Sequence, residues 1–171
     1  MPISNADQVV RDLWQFDAPL IARIAQEFPT VINNGAIDRA KLRALAFTSP
    51  EILRHLEDLI YPQTKESCHQ FIVQMRRLKL PLCILNVPLL FEVGWDQFCH
   101  DTIVVSAPAF LQRQRILSKP DMTIQKMNHV LSCQISDHEK QKYADYIVFS
   151  GLSKGYTFKQ LNQIIRDIKY A

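Results

Sequence analysis

Cysteine and histidine are among the side chains that could bind a metal ion, and two adjacent pairs stand out, Cys68-His69 and Cys99-His100. A structural zinc site needs two separated pairs of ligands with a short spacer inside each pair. Cys83 and Cys133 do not complete that spacing. We therefore expect no metal site and free, buried thiols, as is typical of a cytoplasmic protein.

Basic side chains are the second group with a chemical use, because arginine and lysine bind phosphate and carboxylate groups. The chain has 20 Lys and Arg residues against 17 Asp and Glu, a formal net charge of +3 and a pI near 8.7. This balance suits an anionic small molecule. The basic residues are scattered along the sequence, which does not indicate a nucleic-acid partner, and no apolar run approaches the ~20 residues of a membrane helix.

Glycine is the third group, because a nucleotide-binding phosphate loop reads Gly-x-x-x-x-Gly-Lys-Ser/Thr. Its backbone N–H groups and lysine hold the phosphates, and its hydroxyl binds Mg²⁺. The four glycines are Gly35, Gly94, Gly151 and Gly155, and none belongs to such a motif. The sequence therefore contains no phosphate loop of this kind.

The elements that must position any site follow from the apolar pattern. Three apolar, β-branched runs predict strands, at Leu82 to Val87, Thr102 to Ala107 and Tyr146 to Phe149. Both faces of each run are apolar, which is typical of parallel strands buried on both sides. Strands separated by helices indicate an α/β fold with a mostly parallel sheet.

Helical patterns fill most of the remaining sequence. Caps and apolar spacing predict helices at 17–28, 38–47, Pro50 to Ile60, Pro62 to Leu78, after Ala107-Pro108, and from Ser136 to Tyr143. A terminal helix, for which we predict Thr157 as the cap, carries apolar residues at helical spacing. Asn33-Asn34-Gly35 predicts a tight turn. The polar, basic segment from Arg113 to Lys142 suits either a mobile lid or an ordinary solvated helical hairpin.

One strand and its flank, Asn86-Val87-Pro88-Leu89-Leu90-Phe91-Glu92, resemble the dephospho-coenzyme A kinases. Pro2 to Arg11 is similar to a family segment with Asp-Ala-Asp before a helix that carries arginine. Further matches follow in the family's order, at Ile37 to Phe47, Tyr61-Pro62, Ile103 to Val105, Gln112 with Arg115, Gln134, and Ala144-Asp145. The resemblance therefore spans nearly the whole chain.

The resemblance implies an adenylate-kinase-like α/β fold, that is, a P-loop-kinase-like parallel sheet flanked by helices, with a helical insertion and a lid. It assigns residues 1–7, 79–112 and 143–171 to the α/β core, 8–78 to a coenzyme A-binding-like helical domain and 113–142 to the lid. The family's first strand, central in the sheet, has no counterpart in the sequence. The family reaction moves the γ-phosphoryl group of ATP, with Mg²⁺, onto the ribose 3′-hydroxyl of dephospho-coenzyme A, the last step of coenzyme A biosynthesis.

Candidate site residues also come from the resemblance. It implies substrate contacts at Asp7, Arg11, Arg39, Arg43, Pro88, Leu89 and Glu92, and nucleotide or lid contacts at Arg115, Lys119 and Gln134. For the arginines the alternative is ordinary surface charge, and for Asp7 it is a helix cap.

Three positions depart from the family pattern. Asn5 stands where the presumptive general base is an aspartate, and an amide cannot act as a base at neutral pH. Lys119 replaces a lid arginine and lacks its planar fork. Asp137 stands where the resemblance implies a basic residue. With the phosphate loop also missing, ATP and Mg²⁺ are implied by the family alone, and we expect the chain to be truncated or decayed and inactive as a kinase.

Three interpretations of function therefore remain open. The chain is a dephospho-coenzyme A kinase family member that is inactive by itself. Alternatively, it is a non-catalytic module that binds a coenzyme A-like or other anionic ligand, with Arg11, Arg39, Arg43 and Arg115 as contacts. Finally, it is a degenerate remnant, or a structural partner that lends its exposed sheet to another subunit.

Overall fold

The fold is described from a computed structural model, which covers residues 1–46, 48–120 and 122–170. The chain forms two compact units, Met1–Pro88 and Leu89–Ala171. Each unit contains a pair of parallel strands together with helices. The predicted α/β class with parallel strands is therefore confirmed.

The first unit joins its two ends through a parallel strand pair. Strand β1 (Ile3–Asn5) lies beside β4 (Ile84–Asn86), with Ile3 opposite Ile84 and Asn5 opposite Asn86. The strand predicted at Leu82 to Val87 is confirmed over its central residues. Asn86, the last residue of β4, directly precedes Val87-Pro88. Because Asn5 is its register partner, Asn5 lies beside the residue at which this segment begins.

Four helices and a hairpin fill the sequence between these strands. They are α1 (Ala6–Phe16), α2 (Ala18–Glu27), the hairpin strands β2 (Ile32–Asn33) and β3 (Ala36–Ile37), α3 (Arg39–Ala46) and α4 (Pro50–Arg77). The predicted turn is confirmed, because Asn34 and Gly35 have φ angles of 49° and 78°. Positive φ at both central residues of a two-residue turn matches the twist of a hairpin. Phe47, the predicted end of the third helix, lies outside the described residues.

The core of the first unit is formed by apolar residues from α2, α3 and α4 and from the short 3-10 turn Pro29–Val31. Its buried members are Leu20, Ile24, Val31, Leu42, Leu56, Leu59 and Ile60. Asp17 begins α2 as predicted, because its carboxylate accepts a hydrogen bond from the N–H of Leu20 at 2.8 Å. The first buried residues of α2, Leu20 and Ile24, then lie one turn apart on the face that packs into the core.

The prediction of two helices divided at Pro62 was wrong. A single 28-residue helix, α4, continues through this proline. An interior proline removes one backbone hydrogen bond and costs about 3 kcal/mol. The helix buries Leu56, Leu59 and Ile60 before the proline and Cys68 and Met75 after it. Burying each large apolar side chain contributes about 1.5–3 kcal/mol, so packing on both sides outweighs the lost hydrogen bond.

The second unit is built around another parallel pair, β5 (Ile103–Ser106) and β6 (Tyr146–Phe149). Its helices are α5 (Ala109–Leu117), α6 (Ile124–Ser132), α7 (Asp137–Tyr143) and α8 (Lys154–Tyr170). The strands predicted at 102–107 and 146–149 are confirmed, as is the helix after Pro108. The cap predicted at Ser136 is also confirmed, because its hydroxyl accepts from the N–H of Glu139 at 3.2 Å.

The prediction that these strands are buried on both faces was wrong in part. Val104 and Val148 are 8% and 0% exposed, whereas Val105 and Phe149 are 58% and 49% exposed. Among the described residues β5 is hydrogen-bonded to β6 alone, and β4 to β1 alone. A pair of strands is too narrow for helices to cover completely, so apolar side chains near its edges stay exposed.

The cap of the last helix is Ser153 and not the predicted Thr157. The Ser153 hydroxyl accepts a hydrogen bond from the N–H of Tyr156 at 3.1 Å, the usual geometry of a residue just before the first turn. Thr157 lies inside α8, where its hydroxyl donates to the carbonyl oxygen of Ser153 at 3.0 Å. Both residues can cap a helix, so residue type alone did not decide between them.

No helix in the described part of the chain is long and apolar enough to cross a membrane.

Candidate functional site: a basic cleft and an arginine patch

The second unit contains a cleft of about 300 Å³ at the start of its last helix. The cleft lies between α5, the loop from β6 to α8, and the first two turns of α8. Its lining residues are Arg115, Ser150, Leu152, Ser153, Lys154, Thr157, Phe158 and Leu161. This volume falls at the lower end of the range for small-molecule sites.

Gly151 allows the loop that lines this cleft to pack closely against Pro108. A Cβ atom at Gly151 would lie 2.8 Å from Cδ of Pro108, inside the normal contact distance. Glycine is therefore required for the loop to approach the start of α5 so closely. The loop then leads directly to Ser153, which caps α8, so a few adjacent residues determine the shape of the cleft wall.

Arg115 is held on the wall of the cleft by the loop. Its two terminal nitrogens donate to Ser150, at 3.1 Å to the hydroxyl oxygen and 2.7 Å to the carbonyl oxygen. The side chain remains exposed to solvent. A guanidinium group has five N–H donors, so this contact leaves donors for an anion in the cleft.

The cleft combines positive charge with exposed apolar surface. Arg115 and Lys154 provide the positive charge, and Leu152 and Phe158 are 78% and 63% exposed. An aromatic side chain can stack on a planar ring, while arginine and lysine can hold a phosphate. The arrangement therefore suits an anion that also carries a flat or apolar part.

In the first unit, Asn5 caps the helix that follows it. Its side-chain oxygen accepts from the N–H groups of Asp7 at 3.0 Å and Gln8 at 3.4 Å. The alternative in which Asp7 is the cap is thereby excluded, and Asp7 is an exposed residue in the first turn of α1. A side-chain amide in this position binds backbone donors and has no basic oxygen with which to accept a proton.

Three predicted arginines lie on one surface of the first unit, which we call the arginine patch (Arg11, Arg39 and Arg43). Arg39 donates to the carbonyl oxygen of Arg11 at 3.2 Å, so α1 and α3 meet here. Arg43 is one turn further along α3, and residues four apart share a helix face. All three side chains are exposed.

Glu92 is part of the second unit and is largely enclosed, with 13% of its side chain exposed. One carboxylate oxygen accepts from the ammonium group of Lys140 at 2.8 Å and from the N–H of Ile135 at 3.0 Å. The other oxygen is buried and has no hydrogen-bond partner among the described residues. The carboxylate thus joins the turn that follows Leu89 to the beginning of α7.

The remaining candidates lie outside the lining of the cleft. Lys119 is exposed in the turn after α5, and Gln134 is partly exposed just beyond the end of α6. Pro88 is exposed and Leu89 is partly exposed. Among the predicted nucleotide and lid residues, the cleft therefore includes Arg115 but neither Lys119 nor Gln134.

Sequence reasoning missed several residues that build the second unit's site. Ser150 and Lys154 line the cleft, and Ser106 and Asp137 form a hydrogen-bonded pair beside it. A polar residue directly after a predicted strand, as at Ser150, was a usable signal, because side chains at strand ends often serve a site. The local sequence pattern did not indicate which residues these side chains hydrogen-bond with.

Asp145 and Cys68 are two of the ionisable groups whose pKa values are shifted. Hydrogen bonds from the hydroxyl and N–H of Thr102, both 2.7 Å, lower the pKa of the Asp145 carboxyl below its usual value. Burial raises the pKa of the Cys68 thiol, and a hydrogen bond with Ser4 opposes this in part. All four cysteines are free, but Cys133 is exposed, so the prediction of buried thiols was wrong in part.

Comparison with known proteins assigns the chain to a family. The dephospho-CoA kinase family profile matches residues 1–153. A dephospho-CoA kinase of Novosphingobium aromaticivorans is 35% identical over 169 residues, which cover 99% of this chain and 83% of that protein. One from Rhizobium meliloti is 33% identical, over 99% of this chain and 86% of its own length.

Solved structures share the fold. A Thermus thermophilus protein superposes with a TM-score of 0.79 at 23% identity, over 97% of this chain and 83% of its own length. A dephospho-CoA kinase from Campylobacter jejuni has a TM-score of 0.73 at 21% identity, over 99% and 86% of the two chains. The fold and the sequence matches agree across nearly the whole molecule, and the chain belongs to the dephospho-CoA kinase family.

Proposed function

We propose that this chain binds the substrates of its family, dephospho-coenzyme A and an adenine nucleotide, without transferring a phosphoryl group by itself. The observation that carries the proposal is the combination of a basic cleft and an arginine patch with Asn5 at the position of the base. Binding needs charge and shape, which the two units provide. Transfer needs in addition a phosphate loop, a metal ion and a positioned nucleophile.

The nucleotide is assigned to the cleft. Arg115 and Lys154 would hold phosphate oxygens, and Phe158 offers a surface for a planar base. Replacing Arg115 with methionine should weaken ADP binding about tenfold, as expected for the loss of one charge-assisted hydrogen bond. Lys119→Met is the matched control, because Lys119 is a cation of the same predicted lid that does not line the cleft.

The coenzyme is assigned to the arginine patch of the first unit, within the helical region that we propose as the coenzyme A-binding part. Dephospho-coenzyme A carries a diphosphate, and arginine binds such groups in a bidentate manner. Arg39→Gln and Arg43→Gln should each weaken dephospho-coenzyme A binding in calorimetry. Arg77→Gln, at the end of α4, is a charge-matched control in the same unit.

The described residues do not supply a recognisable magnesium site. The described residues contain no group of three or more histidine, cysteine, aspartate or glutamate side chains that could hold a metal ion. The Ser/Thr hydroxyl of a phosphate loop, which binds Mg²⁺ in P-loop kinases, has no counterpart in the sequence. We therefore assign no step to this metal.

A combined binding and turnover experiment tests the proposal. Purified chain is titrated with dephospho-coenzyme A and with ADP, then incubated with ATP, Mg²⁺ and dephospho-coenzyme A while coenzyme A is quantified by mass spectrometry. We expect saturable binding without product, also for Asn5→Asp, because a base alone does not position the phosphates. Product formation at the rate of the Novosphingobium relative, used as positive control, would show that the chain is catalytic.

The structural-partner interpretation is favoured by a different observation, the exposed Val105 on a strand that, among the described residues, pairs on one side only. Such an edge can pair with another chain. If the purified chain binds neither ligand and forms oligomers that a Val105→Lys substitution disperses, this second function replaces the first.

A further inference from the structure

A series of hydrogen bonds leads from the cleft into the interior of the second unit. It begins at Arg115, which donates to the hydroxyl and carbonyl oxygens of Ser150. Ser150 in turn donates to the carbonyl oxygen of Ser106, from its N–H at 2.8 Å and from its hydroxyl at 3.0 Å. The end of β5 therefore fixes the residue that holds Arg115.

The series continues from Ser106 to a carboxylate on α7. Ser106 is 3% exposed, and its hydroxyl donates to Oδ2 of Asp137 at 2.7 Å. The Gln141 amide donates to the same carboxylate oxygen at 2.7 Å and to the Ser106 hydroxyl at 3.1 Å. These three side chains form a closed triangle, so each restricts the rotation of the others.

The direction of donation is the same along the whole series. A guanidinium cation donates at one end, and a carboxylate anion accepts at the other. Hydrogen bonds that involve an ionised group are stronger than neutral ones. The two parts of the series meet at Ser106, whose carbonyl oxygen accepts from Ser150 and whose hydroxyl donates to Asp137. Asp137 therefore anchors the Ser106 side chain and, through the backbone of that residue, the carbonyl oxygen that fixes Ser150.

We propose that Ser106, Ser150 and Asp137 are positioning residues for Arg115, which they fix on the cleft wall in the orientation that receives an anionic ligand. Asp137, a charge reversal relative to the family, would then support the anion site and not repel the anion. The part of this proposal that concerns the ligand rests on the nucleotide-binding function proposed above. The positioning itself can be measured without any ligand.

The first experiment follows the Arg115 side chain by ¹⁵N NMR in the ligand-free protein. Arg115→Met identifies its terminal guanidinium signals. Ser150→Ala and Asp137→Ala should speed rotation about the bonds to the terminal nitrogens severalfold, because the fixed acceptors are lost or displaced. Ser132→Ala is the matched control, since its hydroxyl bonds within α6 and does not belong to the series.

The second experiment is a double-mutant cycle in ADP binding, measured by calorimetry. Asp137→Ala should weaken ADP binding about fivefold when Arg115 is present and by less than about twofold in the Arg115→Met background. A purely structural role for Asp137 predicts equal losses in both backgrounds. Asp137→Asn keeps an acceptor oxygen and should restore part of the affinity. It also replaces the alanine variant if that variant fails to fold.

The outcomes separate the two proposals. Guanidinium rotation that is unchanged in Ser150→Ala and Asp137→Ala overturns the positioning role, as do equal losses in the two backgrounds of the cycle. Faster rotation in both variants, in a protein that binds no ADP, supports the positioning role and shows that the nucleotide assignment is wrong. Faster rotation together with an Arg115-dependent loss of affinity supports both.

Discussion

At the scale of single residues, Glu92 shows how the structure adds a role that the sequence did not indicate. The resemblance places it among the substrate contacts, which remains a prediction. In the structure its carboxylate accepts from Lys140 and from the backbone of Ile135, in a setting that is mostly closed to solvent. These bonds join segments 43 residues apart, so Glu92 also stabilises the second unit.

Lys140→Met should destabilise the protein by on the order of 3 kcal/mol, because it leaves the enclosed Glu92 carboxylate without its cation. Chemical denaturation measures the change in the free energy of unfolding. Lys142→Met is the control, since Lys142 pairs with Glu139 at 2.6 Å in an exposed setting and should change stability far less. Equal effects of the two substitutions would contradict a special role for the enclosed pair.

Asp145 should make the stability of the protein depend on pH. The hydrogen bonds from Thr102 lower its pKa in the folded protein, so folding favours the ionised form. This contribution is complete above the pKa of an unfolded aspartate and is lost as the pH falls through the lower folded-state pKa. The free energy of unfolding of the wild-type protein should decrease as the pH falls from about 6 to about 2, and in Asp145→Asn this decrease should be smaller. A wild-type slope in that variant would contradict this assignment.

At the scale of elements, the apolar spacing of the sequence located the helices, whereas three-dimensional contacts determined where they begin and end. Apolar spacing placed the terminal helix correctly, but two residues were able to cap it, and the structure selects Ser153. In the same way, Pro62 was a sound local reason to end a helix. Packing on both sides of it decided otherwise, because tertiary burial exceeds the local cost.

Ser153→Ala should therefore cost about 1 kcal/mol of stability through loss of the cap. Thr157→Ala, the substitution at the position that the sequence favoured, should cost less, because alanine is the better residue inside a helix. Thermal unfolding of both variants makes the comparison. A larger loss in Thr157→Ala would move the start of α8 to the position that the sequence predicted.

At the scale of the whole molecule, stability rests on the buried apolar residues, and the family resemblance covers both units. Ile24 is 0% exposed in the first core, whereas Phe16 is 71% exposed on α1. Ile24→Ala should cost about 2–5 kcal/mol, and Phe16→Ala should stay within about 0.5 kcal/mol. Trp14, which packs against this core, reports both by fluorescence in a Trp95→Phe background. Similar losses in the two variants would contradict the assigned core.

The sequence by itself determined the family, the α/β class, three of the six described strands, most helices and the Asn34-Gly35 turn. These depend on residue order and on local periodicity, which neighbouring residues express without a partner elsewhere. It also supplied arginines as candidate anion contacts, and these roles stay predictions, because an arginine either binds an anion or faces solvent.

Only the tertiary structure decided which of those residues act together. It placed Arg115 against Ser150, linked Ser106 to Asp137, enclosed Glu92 with Lys140, and made Asn5 a cap. Most of these contacts join residues more than 30 positions apart. A hydrogen bond requires its atoms to approach within about 3 Å, and no local pattern in a sequence specifies such a distance across a folded chain.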